Sequence, residues 1–206
     1  GNGVDFAYGN FVKEGDRFQI GSLVLEIIET PGHTDESISI TVKDRNVSDD
    51  IYMIFTGDSL FAGETGRCDL YGEENKRRMS ESLYNSIFKK ILSLDDNVII
   101  CPAHGSRSIC GEKIREQELT TIGYEKKTNK ILKNDKKGFI DAKINEMLYK
   151  PPYFQKMEEY NLKGPDLICK LPYLKPLTIH EIKDLMAKDA QIIDVRDPTA
   201  FSGGHT

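Results

Sequence analysis

Three short segments carry residue types that bind metal ions. T-P-G-H-T-D-E-S (30–37) sets His33 behind Pro31 and Gly32, F-T-G-D-S-L-F (55–61) sets Asp58 at the end of an apolar run, and I-I-C-P-A-H-G (99–105) repeats the device with His104. Pro and Gly force tight changes of direction, so each side chain projects from a strand end where a ligand can approach. Taken singly, His33 reads as a histidine in a polar turn and Asp58 as an Asx-turn cap. A carboxylate at the end of a buried strand must otherwise be solvated, hydrogen-bonded or coordinated, because an unpaired buried charge is very costly. One such ending is ordinary; three are hard to explain as independent turns. Imidazole and carboxylate donors meeting at one sheet edge suit Fe(II), Zn(II) or Mn(II).

The elements that must position these residues follow from hydrophobic period. F-Q-I (18–20), L-V-L-E-I-I-E-T (23–30), S-I-S-I-T-V (37–42) and I-Y-M-I-F-T (51–56) are short runs rich in β-branched and aromatic residues, separated by polar turns. Ile38, Ile40 and Val42 share one face, and the run at 51–56 is apolar enough for a strand covered on both faces. From Ser80 the period changes: Leu83, Ile87 and Ile91 form one stripe and Tyr84, Phe88 and Leu92 the adjacent one, predicting a helix over 80–92. N-V-I-I-C-P (97–102) is a further buried strand ending at Pro102. Residues 112–150 are charged, with helical stripes at Leu119, Ile122 and Ile131 and at Phe139, Ile140, Ile144, Met147 and Leu148. Three Pro within 161–176 predict a linker against a surface. Thr178 with Glu181 forms a capping-box pattern, and Q-I-I-D-V-R (191–196) predicts a final strand.

Composition bounds the function. Lys and Arg number 28 against 33 Asp and Glu, a net charge of −5 without massed basic residues, so nucleic acid is not an expected partner. No apolar run reaches the roughly 18–20 residues needed to span a bilayer, and G-N-G-V-D-F has no signal-peptide character. No membrane partner and a cytoplasmic location are expected. The four cysteines (Cys68, Cys101, Cys110, Cys169) lack C-x-x-C spacing, so any metal needs His and carboxylate ligands. Cys68 and Cys110, with no evident activating partner in sequence, read as ordinary small residues.

The ordered set T-P-G-H-T, F-T-G-D-S-L-F, G-R-C-D-L (66–70) and P-A-H-G (102–105) resembles the later metal motifs of the metallo-β-lactamase superfamily. With S-I-C-G-E-K (108–113), T-I-G-Y-E-K-K-T-N (121–129), P-P-Y-F (151–154) and I-I-D-V-R-D-P-T-A-F-S-G-G-H-T (192–206), the chain is similar to bacterial fusions of a persulfide dioxygenase-like domain to rhodanese domains. The resemblance implies a mixed α/β (α+β) fold. Residues 1–115 would be the C-terminal part of an αββα sandwich, 116–175 a helical connector and linker, and 176–206 the start of a rhodanese-like domain. It also implies a mononuclear Fe(II) with three open adjacent positions, His33 and Asp58 as ligands, and a small-molecule thiol persulfide oxidised to sulfite in sulfide detoxification. His104 matches the residue that holds a second metal in the dinuclear hydrolases of the superfamily, and in the dioxygenases orients a ligand or water.

One departure matters. The family's upstream H-x-H-x-D-H is not in this sequence, whose histidines are His33, His104, His180 and His205. The 206 residues are therefore expected to be a piece of a longer enzyme, inactive alone, with a sheet left open to a second copy or a complementing segment. A zinc-dependent thioester hydrolase of the glyoxalase II type and a non-catalytic structural fragment are the alternatives. The rhodanese nucleophile has no counterpart, so sulfur transfer is not expected, and Asp194 and Arg196 read as a local pair. Arg67 and Asp69 suggest an ion pair beside Asp58, or contact with substrate. Ser106, Arg107 and Ser108 read as a polar loop or as a contact for an anionic thiol. His180 reads as a surface residue.

Overall fold

The computed structural model describes residue 7 and residues 9–204, apart from Arg107, Glu112 and Leu171. Residues 1–164 form one compact unit and residues 165–206 a second. In the first, β1 (Arg17–Ile20), β2 (Leu23–Glu29), β3 (Ile38–Asp44) and β4 (Met53–Gly57) make an antiparallel meander, as their β-branched runs and polar turns predict. The short pair β5 (Leu60–Phe61) and β6 (Glu64–Thr65) comes next, followed by the helix α1 (Glu73–Asn85). The chain then returns as β7 (Ile99–Pro102), parallel to β4, and β8 (Thr120–Thr121) closes a six-stranded sheet in the order β1-β2-β3-β4-β7-β8. A parallel return requires a crossover of this kind, and α1 lies within it.

One sheet face carries Thr41, Ile54 and Ile100, which are partners in register, and Ile54 and Ile100 pack with Met79, Leu83, Ile87 and Ile91 in one core. α1 starts at Glu73, earlier than the stripe at Leu83 suggests. Its first turns are charged, and Glu73 and Glu74 suit the positive end of the helix dipole. At Ser86–Ile91 the helix widens into π turns, with Leu92 N–H donating to the Ile87 carbonyl at 2.8 Å. The stripe keeps its inward direction.

The other sheet face holds Phe18, Leu25, Ile40, Val42 and Phe55, and the expectations for it need correcting. Phe55 is 44% exposed, so β4 is not covered on both faces. Ser39 and Thr41 are buried on the α1 side, while Ile38 and Ile40 on the opposite side are only half-buried. Apolar alternation located the strand, with Val42 buried on the same face as Ile38 and Ile40, but it gave no sign that polar Ser39 is buried on the α1 side, where its hydroxyl lies 3.0 Å from that of Thr30 and is satisfied inside.

α2 (Ile122–Thr128) and α3 (Lys136–Ile144) add to the core through Ile122 and Phe139. The ring of Phe139 meets those of Tyr84 and Phe88 edge-on at 5.5 and 5.9 Å. Leu119 and Met147 do not join the helical stripes: they are 54% and 91% exposed, at the approach to β8 and past the end of α3. α4 (Phe154–Lys163) ends the first unit. In the second unit α5 (Ile179–Met186) starts at the expected capping box of Thr178 and Glu181, and α6 (Pro198–Ser202) is capped by Asp197. The strand expected at 191–196 is not formed. Ile192, Ile193 and Val195 are exposed, and a strand without a partner strand is not stable. Asp194 and Arg196 do pair locally, at 2.6 Å.

Candidate metal centre

The loops after β2, β4 and β7 open at the same sheet edge and are stitched together by their backbones. The Ser59 hydroxyl donates to the Thr30 carbonyl at 3.3 Å, joining the Asp58 loop to the His33 loop. Ala103 N–H donates to the Gly57 carbonyl at 3.1 Å, joining the His104 loop to both. Gly32 lies at φ +144°, and a Cβ there would overlap the backbone of Leu83 in α1. Only glycine lets the helix press the His33 loop down to this distance.

His33 is largely buried, and its Nδ1 lies 3.1 Å from the Arg67 carbonyl oxygen. With Nδ1–H donating there, the Nε2 lone pair faces Asp58 Oδ1 at 3.9 Å. Burial lowers the imidazole pKa, outweighing the attraction of the Asp58 carboxylate, so the ring is neutral at neutral pH and the contact is no salt bridge. His104 Nε2 lies 3.0 Å from the same Asp58 oxygen, and its ring packs 6.1 Å from that of Phe61. Close as these nitrogens are, no hydrogen is directed at Asp58 Oδ1, which is buried without a hydrogen-bond partner.

Arg67 has no exposed surface. Its Nε and Nη2 grip Asp69 Oδ1 and Oδ2 at 2.6 and 2.8 Å, and Nη1 donates to the carbonyls of Ile109 and Tyr149. The Phe154 ring lies 5.3 Å from the guanidinium carbon. Together these partners leave the guanidinium clamping the loops around the site. The hydrogen bonds that Arg67 donates to Asp69 raise the Arg67 pKa; burial alone would raise that of Asp69, but those hydrogen bonds and the Arg67 charge hold it below the ordinary value. Arg107 lies outside the described residues, as does His205; His180 is exposed on α5.

Sequence reasoning missed Cys110. Its thiol, a ring nitrogen of His33 and a carboxylate oxygen of Asp58 lie within 4.8 Å of one another. Burial and the charge of Asp58 push the thiol up to about 11, so it carries its proton at neutral pH. The available signal was its position six residues beyond His104 in one loop, which only the fold turns back toward the strand ends. Cys68, by contrast, is a core residue, also raised to about 11 by burial.

This donor set fits a divalent cation. A neutral imidazole has its lone pair free and its other nitrogen hydrogen-bonded, and a buried carboxylate oxygen lacks a donor, which is how metal ligands are held ready. A sheet edge bearing such donors, backed by helices, is the arrangement of a metal-dependent enzyme class built on one sandwich. The family model for the metallo-beta-lactamase superfamily matches residues 1–104, and the chain belongs to that superfamily. A solved metallo-beta-lactamase from Staphylococcus aureus subsp. aureus COL is similar over 96% of this chain and 54% of its own, at 32% identity and a TM-score of 0.73. Hydroxyacylglutathione hydrolase GloC of Haemophilus influenzae is 35% identical over 59% of this chain and 47% of its own length. Mitochondrial persulfide dioxygenase ETHE1 of Mus musculus is 29% identical over 68% of this chain and 48% of its own. The chain spans about half the length of the curated relatives it matches. Among the described residues no helix is long and apolar enough to cross a membrane.

Proposed function

We propose that the chain supplies part of the metal centre of a non-haem iron persulfide dioxygenase that oxidises a low-molecular-weight persulfide, such as glutathione persulfide, to sulfite. The observation that carries this reading is how the donors are grouped. His33 and Asp58 converge, while His104 lies against the Asp58 carboxylate and outside the close group. His33, oriented by the Arg67 carbonyl, and Asp58 would hold the ion, and the whole protein would complete the set from residues outside these 206. Fe(II), when bound, supplies adjacent open positions for a sulfur anion and dioxygen. The chain's own residues do the positioning. Asp58 provides the carboxylate, His104 sets its Nε2 beside it, and buried Phe61 walls that side with apolar surface. Residues from 176 onward would begin a rhodanese-like domain. The apolar sheet face around Phe55 would be covered by the complementing part of the sandwich.

The test uses the whole protein: bound metal is measured, and oxygen uptake is followed with glutathione persulfide. One iron per chain and persulfide-dependent oxygen consumption are expected; a zinc-loaded, oxygen-indifferent protein refutes the reading. The contact of His104 with Asp58 supports a second reading, a glyoxalase II-like thioester hydrolase in which His104 and that carboxylate would help to hold a second ion. Two metals per chain, lost together on His104→Ala, would decide for it.

A further inference from the structure

We propose that Cys110 is a metal donor, so that His33, Asp58 and Cys110 form a three-donor site for a borderline or soft divalent cation within this chain. The inference rests on reading the strand ends as a metal centre and adds to it a sulfur ligand. Cys110 is not a stray thiol near the site. Its own N–H donates to the Ser108 hydroxyl at 3.1 Å, and the carbonyl of the preceding Ile109 accepts from buried Arg67 Nη1 at 3.2 Å. The backbone at Cys110 is thus held by the Ser108 hydroxyl and, through the Ile109 carbonyl, by the guanidinium that also grips Asp69, and Arg67 orients His33 through its carbonyl. The same clamp sets the sulfur and the imidazole. Facing them is the Asp58 oxygen that no hydrogen satisfies.

The spacing suits a shared ion. Metal–ligand distances of about 2.0–2.3 Å let two donors stand up to roughly 4 Å apart across one ion, so donors within 4.8 Å need shift by under about 1 Å each. Binding breaks the S–H bond and passes its proton to solvent, leaving a thiolate–metal bond. A thiolate among the donors favours Zn(II) or Co(II) over Mg(II) or Mn(II).

The test is a Co(II) titration of the 206-residue chain, followed by absorption and calorimetry. The expected result is one Co(II) per chain with an intense near-ultraviolet thiolate-to-cobalt band. Cys110→Ser should abolish the band and weaken binding at least about tenfold, the lower end of what loss of support to a metal site costs. Cys68→Ser and Cys101→Ser should keep both. Circular dichroism confirms that Cys110→Ser is folded, and Cys110→His, which restores a donor without sulfur, should recover affinity but not the band. A band that survives Cys110→Ser, or an unchanged affinity, overturns the proposal. Binding without the band that is lost on Asp58→Asn overturns Cys110 as a donor and leaves the metal centre standing. Absence of Co(II) binding overturns the three-donor site within this chain, while the metal content of the whole protein separately tests the reading of the strand ends as a metal centre.

Discussion

Replacing Arg67 with alanine tests whether one buried guanidinium holds the site's loops together. The substitution removes the fork on Asp69, the two bonds to the Ile109 and Tyr149 carbonyls, and the stacking on Phe154. It leaves Asp69, only 13% exposed at its side chain, as a carboxylate without its cation. Breaking a buried pair from one side costs about 3–5 kcal/mol, because the surviving charge stays desolvated. For a unit of this size that lowers Tm by roughly 6–20 °C. Arg67→Lys keeps the charge but cannot make the fork, so it should fall between wild type and Arg67→Ala. In Arg67→Ala/Asp69→Ala no charge is stranded, and the double variant should lose less than the sum of the two single ones by about 0.5–3 kcal/mol. The assay is thermal and urea unfolding of all four variants. Because the Arg67 carbonyl accepts from His33 Nδ1, Co(II) affinity should fall alongside. An Arg67→Ala protein within about 1 kcal/mol of wild type would refute the clamp, since that is what a solvent-exposed pair is worth.

Gly32→Ala places a Cβ on the Leu83 backbone at a φ that side chains disfavour, so a loss of several kcal/mol or an insoluble product is expected, read from urea midpoints and soluble yield. The Asp69 carboxyl titrates below its ordinary value of about 3.9 when folded. Its contribution is therefore fully present above that value and lost as pH falls through the lower folded one; Asp69→Asn should flatten stability against pH below about 4, and an unchanged slope would count against the pairing. Thr178→Ala removes the capping box at the start of α5 and should cost about 1 kcal/mol of local stability, seen as faster amide exchange at Glu181 and Ile182.

Elements with strong local signals were legible in the sequence. The meander followed from β-branched runs between polar turns, α1 from the spacing of Leu83, Ile87 and Ile91, and the α5 cap from Thr178 and Glu181. The strand ends bearing His33, Asp58 and His104 followed from apolar runs ending at Gly or Pro. The failures share a cause, since each depended on what lies across from the residue. Ile192–Val195 has strand chemistry and no strand beside it. Phe55 has core chemistry and a face left partly open, and Thr41 is polar yet buried because Ile54 lies opposite it under α1. Cys110 depended on a loop folded back by Arg67, whose partners at Ile109 and Tyr149 are 42 and 82 residues away in sequence.

The contrast between backbone and side chains at the sheet edge shows where stability gives way to function. The loops are joined by bonds from Ser59 to Thr30 and from Ala103 to Gly57, so the backbone groups linking them are paired even where they leave regular structure. Among the described residues, Asp58 supplies the one buried carboxylate oxygen without a hydrogen-bond partner, with the His33 lone pair, the His104 ring and the Cys110 thiol gathered around it. A carboxylate meant only to hold a turn would be satisfied by that turn's own N–H groups, as Asp135 and Asp197 are at the starts of α3 and α6. At Asp58 the local rule is broken, and an unmet acceptor beside the neutral His33 imidazole and the protonated Cys110 thiol is the electrostatic condition that a divalent cation relieves.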